Sequence, residues 1–440
     1  MKSLLRWLVG IFILLGTLLL SNCSPYGCRV TFGSSTCNGS GSSSFGGSGG
    51  GGSSGGGGGG ATPTAFAYAV DQSGTIDGYV LSDSASTFGA ISNFTAPTIA
   101  ANSGGVGMVV AQEQYLYAGL GDSGGILYGW TISASGSLSP ISGTPAAAPF
   151  LADFGTGVSQ SEMIVNPAGT LLFISDTLQS LIYVFQIGTG GALTAVTGSP
   201  FSLPVGFQPM NLTTDGLGNY LYVVNGNFST HQGSAIAAFV IGTGSNLGVL
   251  TPINNGVPFS GVGYNMWQVK GEPTGQFLIG TTGSTAYDGV TDDPNLYVFT
   301  ISQSSTNPGA ITLLGKTATQ YSPYSIAVQS NTGGNLIYSL SFNDTATAFN
   351  PIEGFSISSA GALTADANSP FSNGIGEGSW GQFDQSGSLL FVYASYLNSS
   401  TNTVITQLSP LNVGSGGALT QPITTGTLAN PGFWVVTDPQ

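Results

Sequence analysis

The sequence predicts an all-β fold, a seven-bladed β-propeller, on the basis of three observations. The composition is rich in glycine (70 of 440 residues) and poor in charge (5%), while 41% of the residues are hydrophobic. A strand-like pattern recurs seven times from residue 65 onward, at intervals of 49 to 59 residues. No part of this region shows a sustained helical period. Repeats of this length, each with several short strands, are typical of propellers, in which radial repetition leaves only short sheet edges.

Each repeat is predicted to contain four short strands. The most regular strand alternates apolar residues, as in residues 220–223, and a second alternating strand follows, as in residues 235–240. A glycine-rich turn then leads to a third strand, as in residues 361–364. A fourth strand such as residues 163–165 opens the next repeat. Gly, Asn, Asp and Ser between these segments indicate consecutive hairpins.

The two ends of the repeat region complement each other. The first repeat lacks its innermost strand, and a spare strand-like segment, residues 432–438, follows the last repeat. We therefore expect the C-terminal strand to complete the first blade and close the ring. A two-domain β-sandwich is the alternative, but it would leave the missing strand and the spare strand unexplained.

The N-terminal region is predicted to direct export. Lys2 and Arg6 precede an uncharged run, residues 7–20, which fits the apolar segment of a signal peptide and is short for a membrane span. The following Leu-Ser-Asn-Cys resembles the lipobox of bacterial lipoproteins, in which Cys23 becomes the acylated first residue. Ordinary secretion with a free Cys23 is the alternative.

The expected organisation has three parts. Residues 1–22 form the lipoprotein signal peptide, residues 23–60 a lipidated segment with a small disulfide loop and a disordered Gly/Ser tether, and residues 61–440 the propeller. With Cys23 lipidated, Cys28 and Cys37 are left to pair in an oxidising compartment. The residue after Cys23 is not aspartate, so we expect an outer-membrane lipoprotein of the bacterial envelope, periplasmic or surface-exposed.

The charge excludes some partners and favours others. The formal net charge is −14, and the only cations from residue 61 onward are Lys270 and Lys316. Nucleic-acid binding needs many more basic residues to displace counterions from phosphates. We expect a monomer that meets the membrane only through its lipid anchor and binds a small polar ligand or a surface protein.

One recurring phrase resembles a known family. Residues 190–201 read Gly-Gly-Ala-Leu-Thr followed by Gly-Ser-Pro-Phe, and the phrase returns at residues 361–371 and in part at 256–259. It resembles the lactonase-like seven-bladed propellers that include bacterial 6-phosphogluconolactonases. The resemblance implies lactone chemistry in a central cavity that supplies His, Arg and Glu. This propeller has no arginine, and its only histidine is His231.

Candidate ligand-binding residues lie near the start of each predicted innermost strand, where propeller strands approach the mouth of a central channel. Their carboxylates, amides and aromatic rings suit a polar, uncharged ligand such as a sugar or lactone; the alternative is that the tryptophans pack between blades and the amides bind water. Weak catalytic candidates are Glu162, His231 and Glu377. One column of the alignment holds Glu162, Asn211, Gln268, Trp380 and Trp434, and the column three positions earlier holds Gln208, Asn265, Tyr324 and Glu377.

Two further motifs resemble functional sites but are also compatible with ordinary turns. Residues 121–125 (Gly-Asp-Ser-Gly-Gly) resemble a serine-protease nucleophile segment but read better as a hairpin turn. Asp288, Asp292 and Asp293 form a local carboxylate cluster that is a weak candidate for calcium, although the spacing is not that of an EF-hand. We otherwise expect no cofactor and no metal.

The sequence leaves two functions open. The main hypothesis is a surface-tethered, non-catalytic module that binds a ligand or a protein, because acid–base and electrostatic catalysis need positioned titratable groups and this propeller has few. The alternative is a lactone hydrolase that acts on a neutral sugar lactone, as the family resemblance implies.

Overall fold

Seven antiparallel sheets form a ring in the computed structural model, as the repeats predict. The predicted signal peptide, the three cysteines and the Gly/Ser tether lie outside the described residues. The structure describes residues 63–70, 74–82, 87–99, 106–120, 126–144, 146–147, 163–177, 179–225, 234–262, 266–282, 293–329, 335–341, 352–371, 377–398, 403–420, 426–428 and 433–437.

Each blade has four strands, counted here from the channel outward. Blade 1 has β31 (Phe433–Thr437), β1 (Pro63–Val70), β2 (Ile76–Ser82) and β3 (Thr87–Ala90); blade 2 has β4 (Val106–Ala111), β5 (Tyr115–Leu120), β6 (Ile126–Ile132) and β7 (Leu138–Pro140), with β8 (Ala146–Ala147) beside β6. Blade 3 has β9 (Met163–Val165), β10 (Leu171–Asp176), β11 (Leu181–Ile187) and β12 (Leu193–Ala195), with β13 (Phe201–Ser202) beside β11.

The other four blades follow the same plan. Blade 4 has β14 (Pro209–Thr214), β15 (Tyr220–Asn225), β16 (Ala235–Ile241) and β17 (Leu250–Pro252); blade 5 has β18 (Gln268–Gly271), β19 (Phe277–Thr281), β20 (Asn295–Ile301) and β21 (Ile311–Ala318). Blade 6 has β22 (Pro323–Val328), β23 (Leu336–Ser341), β24 (Ile352–Ile357) and β25 (Leu363–Ala365); blade 7 has β26 (Glu377–Phe383), β27 (Leu389–Asn398), β28 (Thr403–Val413) and β29 (Leu419–Thr420), with β30 (Gly426–Leu428) beside β28.

Helical structure in the described residues is limited to four short 3-10 turns, Thr189–Gly191, Gly244–Asn246, Ile253–Gly256 and Ser415–Gly417. No helix among these residues is long and apolar enough to cross a membrane.

The C-terminal strand closes the ring, which confirms the expectation from the two chain ends. β31 pairs antiparallel with β1, from Phe66 opposite Thr437 to Val70 opposite Phe433. Innermost strands of neighbouring blades contact each other all the way round, from β31 through β4, β9, β14, β18, β22 and β26 back to β31. The first blade is therefore built from both ends of the propeller.

The second strand of each blade is almost fully buried, because the blade packs against a neighbour on both of its faces. All six residues of β10 are buried, and so are the four central residues of β15. This two-sided burial explains why the most regular segment of each repeat is a nearly continuous apolar run rather than a strict alternation of apolar and polar residues.

A hydrogen bond between a tyrosine hydroxyl and a glycine carbonyl joins four pairs of neighbouring blades. The tyrosine lies in the second strand of one blade, and the glycine lies in the turn between the third and fourth strands of the next. Burial raises the pKa of each tyrosine well above its ordinary value, so the hydroxyl stays protonated and can donate. The bonds measure 2.7 to 2.9 Å and join Tyr68 to Gly136, Tyr117 to Gly191, Tyr222 to Gly309 and Tyr338 to Gly417.

Gly309 shows why the acceptor residue is a glycine. Its φ is +77°, in the left-handed region that other residues rarely adopt. A Cβ atom there would lie 2.4 Å from the ring of Tyr220 and 2.6 Å from Ile253, both in the preceding blade. The turn therefore packs its backbone directly on the neighbouring blade, and no side chain fits between them.

Asp366 departs from the apolar residues that line these seams. Ile141 packs against Gly191 between blades 2 and 3, and Val196 packs against Gly248 between blades 3 and 4. Asp366 occupies the corresponding place between blades 6 and 7, with Oδ2 against Gly417. That oxygen is buried and has no hydrogen-bond partner, and burial raises the pKa of the carboxyl group.

Deleting residues 431–440 should lower the melting temperature by several degrees and promote aggregation, because it removes β31 and exposes the edge of β1. Thermal unfolding and light scattering of the truncated protein would measure both effects. Deletion of residues 438–440 alone is the matched control and should change neither. An unchanged melting temperature after the longer deletion would contradict the ring closure.

Replacing Asp366 with valine should stabilise the protein at neutral pH. Burial raises the folded-state pKa of Asp366 above its unfolded-state pKa of about 3.9. The stability that the protonated carboxyl group contributes at low pH is therefore lost as the pH rises through the folded-state pKa. Asp366→Val should therefore raise the melting temperature at pH 7 by on the order of 2 °C, and by less at acidic pH.

The matched control for this substitution is Val196→Asp, which places a carboxylate in the equivalent seam between blades 3 and 4. It should lower the melting temperature at pH 7. A lower melting temperature for Asp366→Val at pH 7 would mean that the carboxylate stabilises its seam, against our interpretation.

Candidate functional site

The starts of the innermost strands surround one end of the central channel, because these strands run side by side around the ring. Gln208, Asn211, Gln268, Tyr324 and Trp380 are described there. For Glu377 and Trp434 the structure gives a strand position, in β26 and β31. Glu162, Asn265 and His231 lie outside the described residues, so their predicted roles are untested.

Two of the predicted amides tie neighbouring innermost strands together. The Asn211 side-chain oxygen accepts a hydrogen bond of 2.8 Å from the Val269 amide, and the Gln268 oxygen accepts one of 2.7 Å from the Ile326 amide. The two side chains are 4% and 2% exposed. Their oxygens thus satisfy buried backbone donors of the next blade, which makes both residues part of the channel wall. Gln208, in contrast, is exposed.

β-Bulges in the innermost strands bring three large side chains together. An extra residue interrupts the register between Pro209 and Asn211 in β14, and again between Pro323 and Ser325 in β22. These extra residues are Met210 and Tyr324. Trp267 holds the same place before β18, since its amide bonds to the Thr281 carbonyl at 2.7 Å. A bulge re-aims the side chain of its extra residue, and bulges are frequent beside active sites.

Met210, Trp267 and Tyr324 form one apolar cluster, each 7% exposed, and Trp380 of blade 7 packs against it. The rings of Trp267 and Tyr324 are 5.2 Å apart between centroids and tilted by 38°. Those of Tyr324 and Trp380 are 6.1 Å apart and nearly perpendicular, at 82°. We call Trp267, Tyr324 and Trp380 the aromatic row. It spans blades 5, 6 and 7, and Trp380 is its partly exposed member.

The sequence alignment placed Tyr324 in the same column as Gln208, whereas the bulge places it with Met210 and Trp267. Met210 and Trp267 were not among the predicted site residues. One signal in the sequence could have found the pairing of Met210 with Tyr324. Each follows a proline that opens an innermost strand, in Pro209-Met210 and Pro323-Tyr324.

A buried carboxylate holds the segment that leads to Tyr324. Glu353 is 5% exposed and accepts hydrogen bonds from the amides of Gln320 (2.8 Å) and Tyr321 (3.1 Å). Burial raises the pKa of Glu353, and the two backbone donors offset part of that rise. This side chain comes from β24, so it fixes the linker before β22 from a different strand of blade 6.

The carboxylate cluster proposed for calcium is described only in part. Asp288 and Asp292 lie outside the described residues. Asp293 is 7% exposed, accepts hydrogen bonds from the Tyr297 hydroxyl and the Asn295 amide, and lies 3.9 Å from the Lys316 ammonium. Within the described part of the chain no group of three or more His, Cys, Asp or Glu residues is placed to hold a metal ion. The calcium site stays a prediction.

Solved structures with the same fold span almost the whole propeller. A candidate 6-phosphogluconolactonase from Bacteroides uniformis is 13% identical with a TM-score of 0.60, and the match covers 85% of this chain and 99% of that one. A periplasmic gluconolactonase from Pseudomonas aeruginosa is 14% identical with a TM-score of 0.59, over 86% and 99% of the two chains. A candidate 6-phosphogluconolactonase from Bacteroides fragilis is 14% identical with a TM-score of 0.58, over 86% and 98%.

No protein-family model matches the sequence, and the comparison with curated proteins gives no significant match. At identities this low the structural likeness defines the fold. The chain is a seven-bladed β-propeller. It has the architecture of the lactonase-like propellers, as the phrase at residues 190–201 predicted.

Proposed function

We propose that this protein is an extracytoplasmic lactone hydrolase that acts on a neutral sugar lactone at the mouth of its central channel. The observation that carries the proposal is the fold, which the chain shares over most of its length with a periplasmic gluconolactonase. Fold alone does not fix activity. The second argument is the cluster of aromatic side chains from blades 5, 6 and 7, since small-molecule sites are lined mainly by apolar and aromatic residues.

The charge of the propeller argues for a neutral substrate. From residue 61 onward there are 19 acidic residues and two lysines. A phosphorylated lactone carries about two negative charges and is normally held by Arg, Lys or a helix N-terminus. Lys316 is near Asp293, at the outer strand of blade 5. The acidic field repels a phosphosugar and leaves a neutral lactone unaffected.

Hydrolysis of a lactone requires water to attack the ring ester carbonyl, and a general base accelerates that step. In this proposal Glu377, Glu162 or His231 accepts the proton from the water. Glu377 begins β26, three residues before Trp380, so a ligand on the aromatic row would lie near its strand position. The ring ester opens to a hydroxy acid, and no cofactor is consumed.

A non-catalytic binding module is the second candidate. It is favoured by the shortage of titratable groups, since the propeller has one histidine and no arginine. It is also favoured by Asn211 and Gln268, whose side-chain oxygens bond to backbone of the next blade. Such a module would bind the same neutral ring without turning it over.

The decisive experiment compares hydrolysis of glucono-1,5-lactone and 6-phosphogluconolactone, each corrected for the rate in buffer. We expect turnover of the neutral lactone and a much lower kcat/KM for the phosphorylated one. Glu377→Gln should reduce kcat about 100-fold if this carboxylate is the base. The matched control is Glu113→Gln. Glu113 lies in the turn between β4 and β5 of blade 2, at the other end of an innermost strand, and its replacement should leave kcat unchanged.

Equal turnover of the two lactones would refute the charge argument. Binding of a neutral sugar without any turnover would favour the non-catalytic module.

We also propose that Cys23 carries a lipid that anchors the protein to the outer membrane. Cys23→Ser should move the protein from the membrane fraction to the soluble fraction, because the lipobox-like segment is the anchoring feature of the sequence. Cys28→Ser is the matched control and should leave the protein in the membrane fraction. Membrane retention of the Cys23→Ser protein would indicate that residues 7–20 remain as an uncleaved anchor.

A further inference from the structure

We infer that the aromatic row is a stacking site, on which the ring of a neutral sugar or sugar lactone lies against the partly exposed ring of Trp380. The inference deepens the proposed function and rests on it only for the lactone form of the ligand. It adds Trp267 as a site residue and assigns distinct roles to the members of the row.

The backbone irregularity at the row recurs in four consecutive blades. Bulges occur in the innermost strands of blades 4, 6 and 7, and Trp267 adds an equivalent extra residue in blade 5. The pairing of β4 with β5 in blade 2 runs without a register shift. The fold therefore does not require such a bulge in every blade. The common result of these irregularities is to gather Met210, Trp267 and Tyr324 at the channel mouth.

The ring geometry describes a platform rather than a cage. An aromatic cage for a cation needs several ring faces turned toward one empty space. Here Tyr324 covers part of Trp267 at 5.2 Å and meets Trp380 edge to face at 6.1 Å. Tyr324 and Trp267 are 7% exposed, so Trp380 is the member with accessible surface. A single accessible ring suits the flat apolar face of a sugar ring.

Tyr324 acts as the support of this platform, and its own position is fixed. The Glu353 carboxylate bonds to the amides of Gln320 and Tyr321, just before β22. The Thr281 hydroxyl of blade 5 lies 3.5 Å from the Tyr324 carbonyl. The support is therefore held by blade 5 and by a second strand of blade 6, and a ligand that stacks on Trp380 meets a surface that is already in place.

The test uses glucono-1,5-lactam, a neutral and non-hydrolysable analogue of the lactone, in fluorescence titrations and calorimetry with the full-length protein. Trp380→Leu keeps apolar bulk but removes the ring face, and it should weaken lactam binding about tenfold, which corresponds to about 1.4 kcal/mol. Trp380→Phe keeps a ring and should restore most of the affinity. Trp130→Phe, in blade 2, is the matched control and should bind normally.

The outcomes separate this inference from the proposed function. Weakened lactam binding in Trp380→Leu with rescue by Trp380→Phe supports the stacking site, even if the wild-type protein hydrolyses no lactone. Lactone turnover with equal lactam affinity in wild type and Trp380→Leu overturns the stacking site and leaves the hydrolase proposal standing. Absence of lactam binding at millimolar concentration also overturns the stacking site. Choline is the cationic probe, and quenching of the tryptophan fluorescence by choline but not by the lactam would indicate a cation cage instead.

Discussion

The close packing of a glycine-containing turn on the preceding blade is the constraint on which the ring depends, and in four pairs of blades a hydrogen bond from a tyrosine hydroxyl to the glycine carbonyl accompanies it. Hydrophobic packing between blades is not directional, whereas this bond is directional and joins one defined donor to one defined acceptor. Gly309 shows why this packing requires glycine in the turn, because a side chain there would collide with Tyr220 and Ile253. The turn also packs closely at a seam outside these four pairs, between blades 5 and 6. A Cβ at Gly361 would lie 2.6 Å from the Phe277 ring. A glycine in this turn packs on the preceding blade in blades 2 to 7.

Most of the fold could be predicted from the sequence because the same physical requirement recurs in every blade. A buried second strand needs an apolar run such as residues 220–223, and the turn that packs on the preceding blade favours glycine, as at residues 361–364. A pattern seen once is ambiguous, but seven spaced copies leave few other folds. The ring closure could be predicted from the spare segment at residues 432–438, because a blade without an innermost strand needs one from elsewhere in the chain.

The candidate site was harder to predict because it is formed by departures from the repeat. An extra residue in β22 shifts Tyr324 out of the column in which the alignment placed it, and the same effect hid Met210 and Trp267. Asn211 lies in an innermost strand, and its side-chain oxygen bonds to a backbone amide of the next blade, which no periodicity reveals. Glu353 supports the site from another strand, so sequence distance conceals its relation to Tyr324.

One end of the aromatic row lies at the same junction of the ring as Asp366. The contact between Tyr324 and Trp380 crosses from blade 6 to blade 7, and the contact between Asp366 and Gly417 crosses the same junction. In the corresponding seams Ile141 and Val196 supply apolar contacts, whereas at this junction burial raises the pKa of the Asp366 carboxyl group. A regular propeller would distribute its stability evenly over seven seams. Here the seam that carries the partly exposed end of the aromatic row also has a buried carboxylate oxygen without a hydrogen-bond partner.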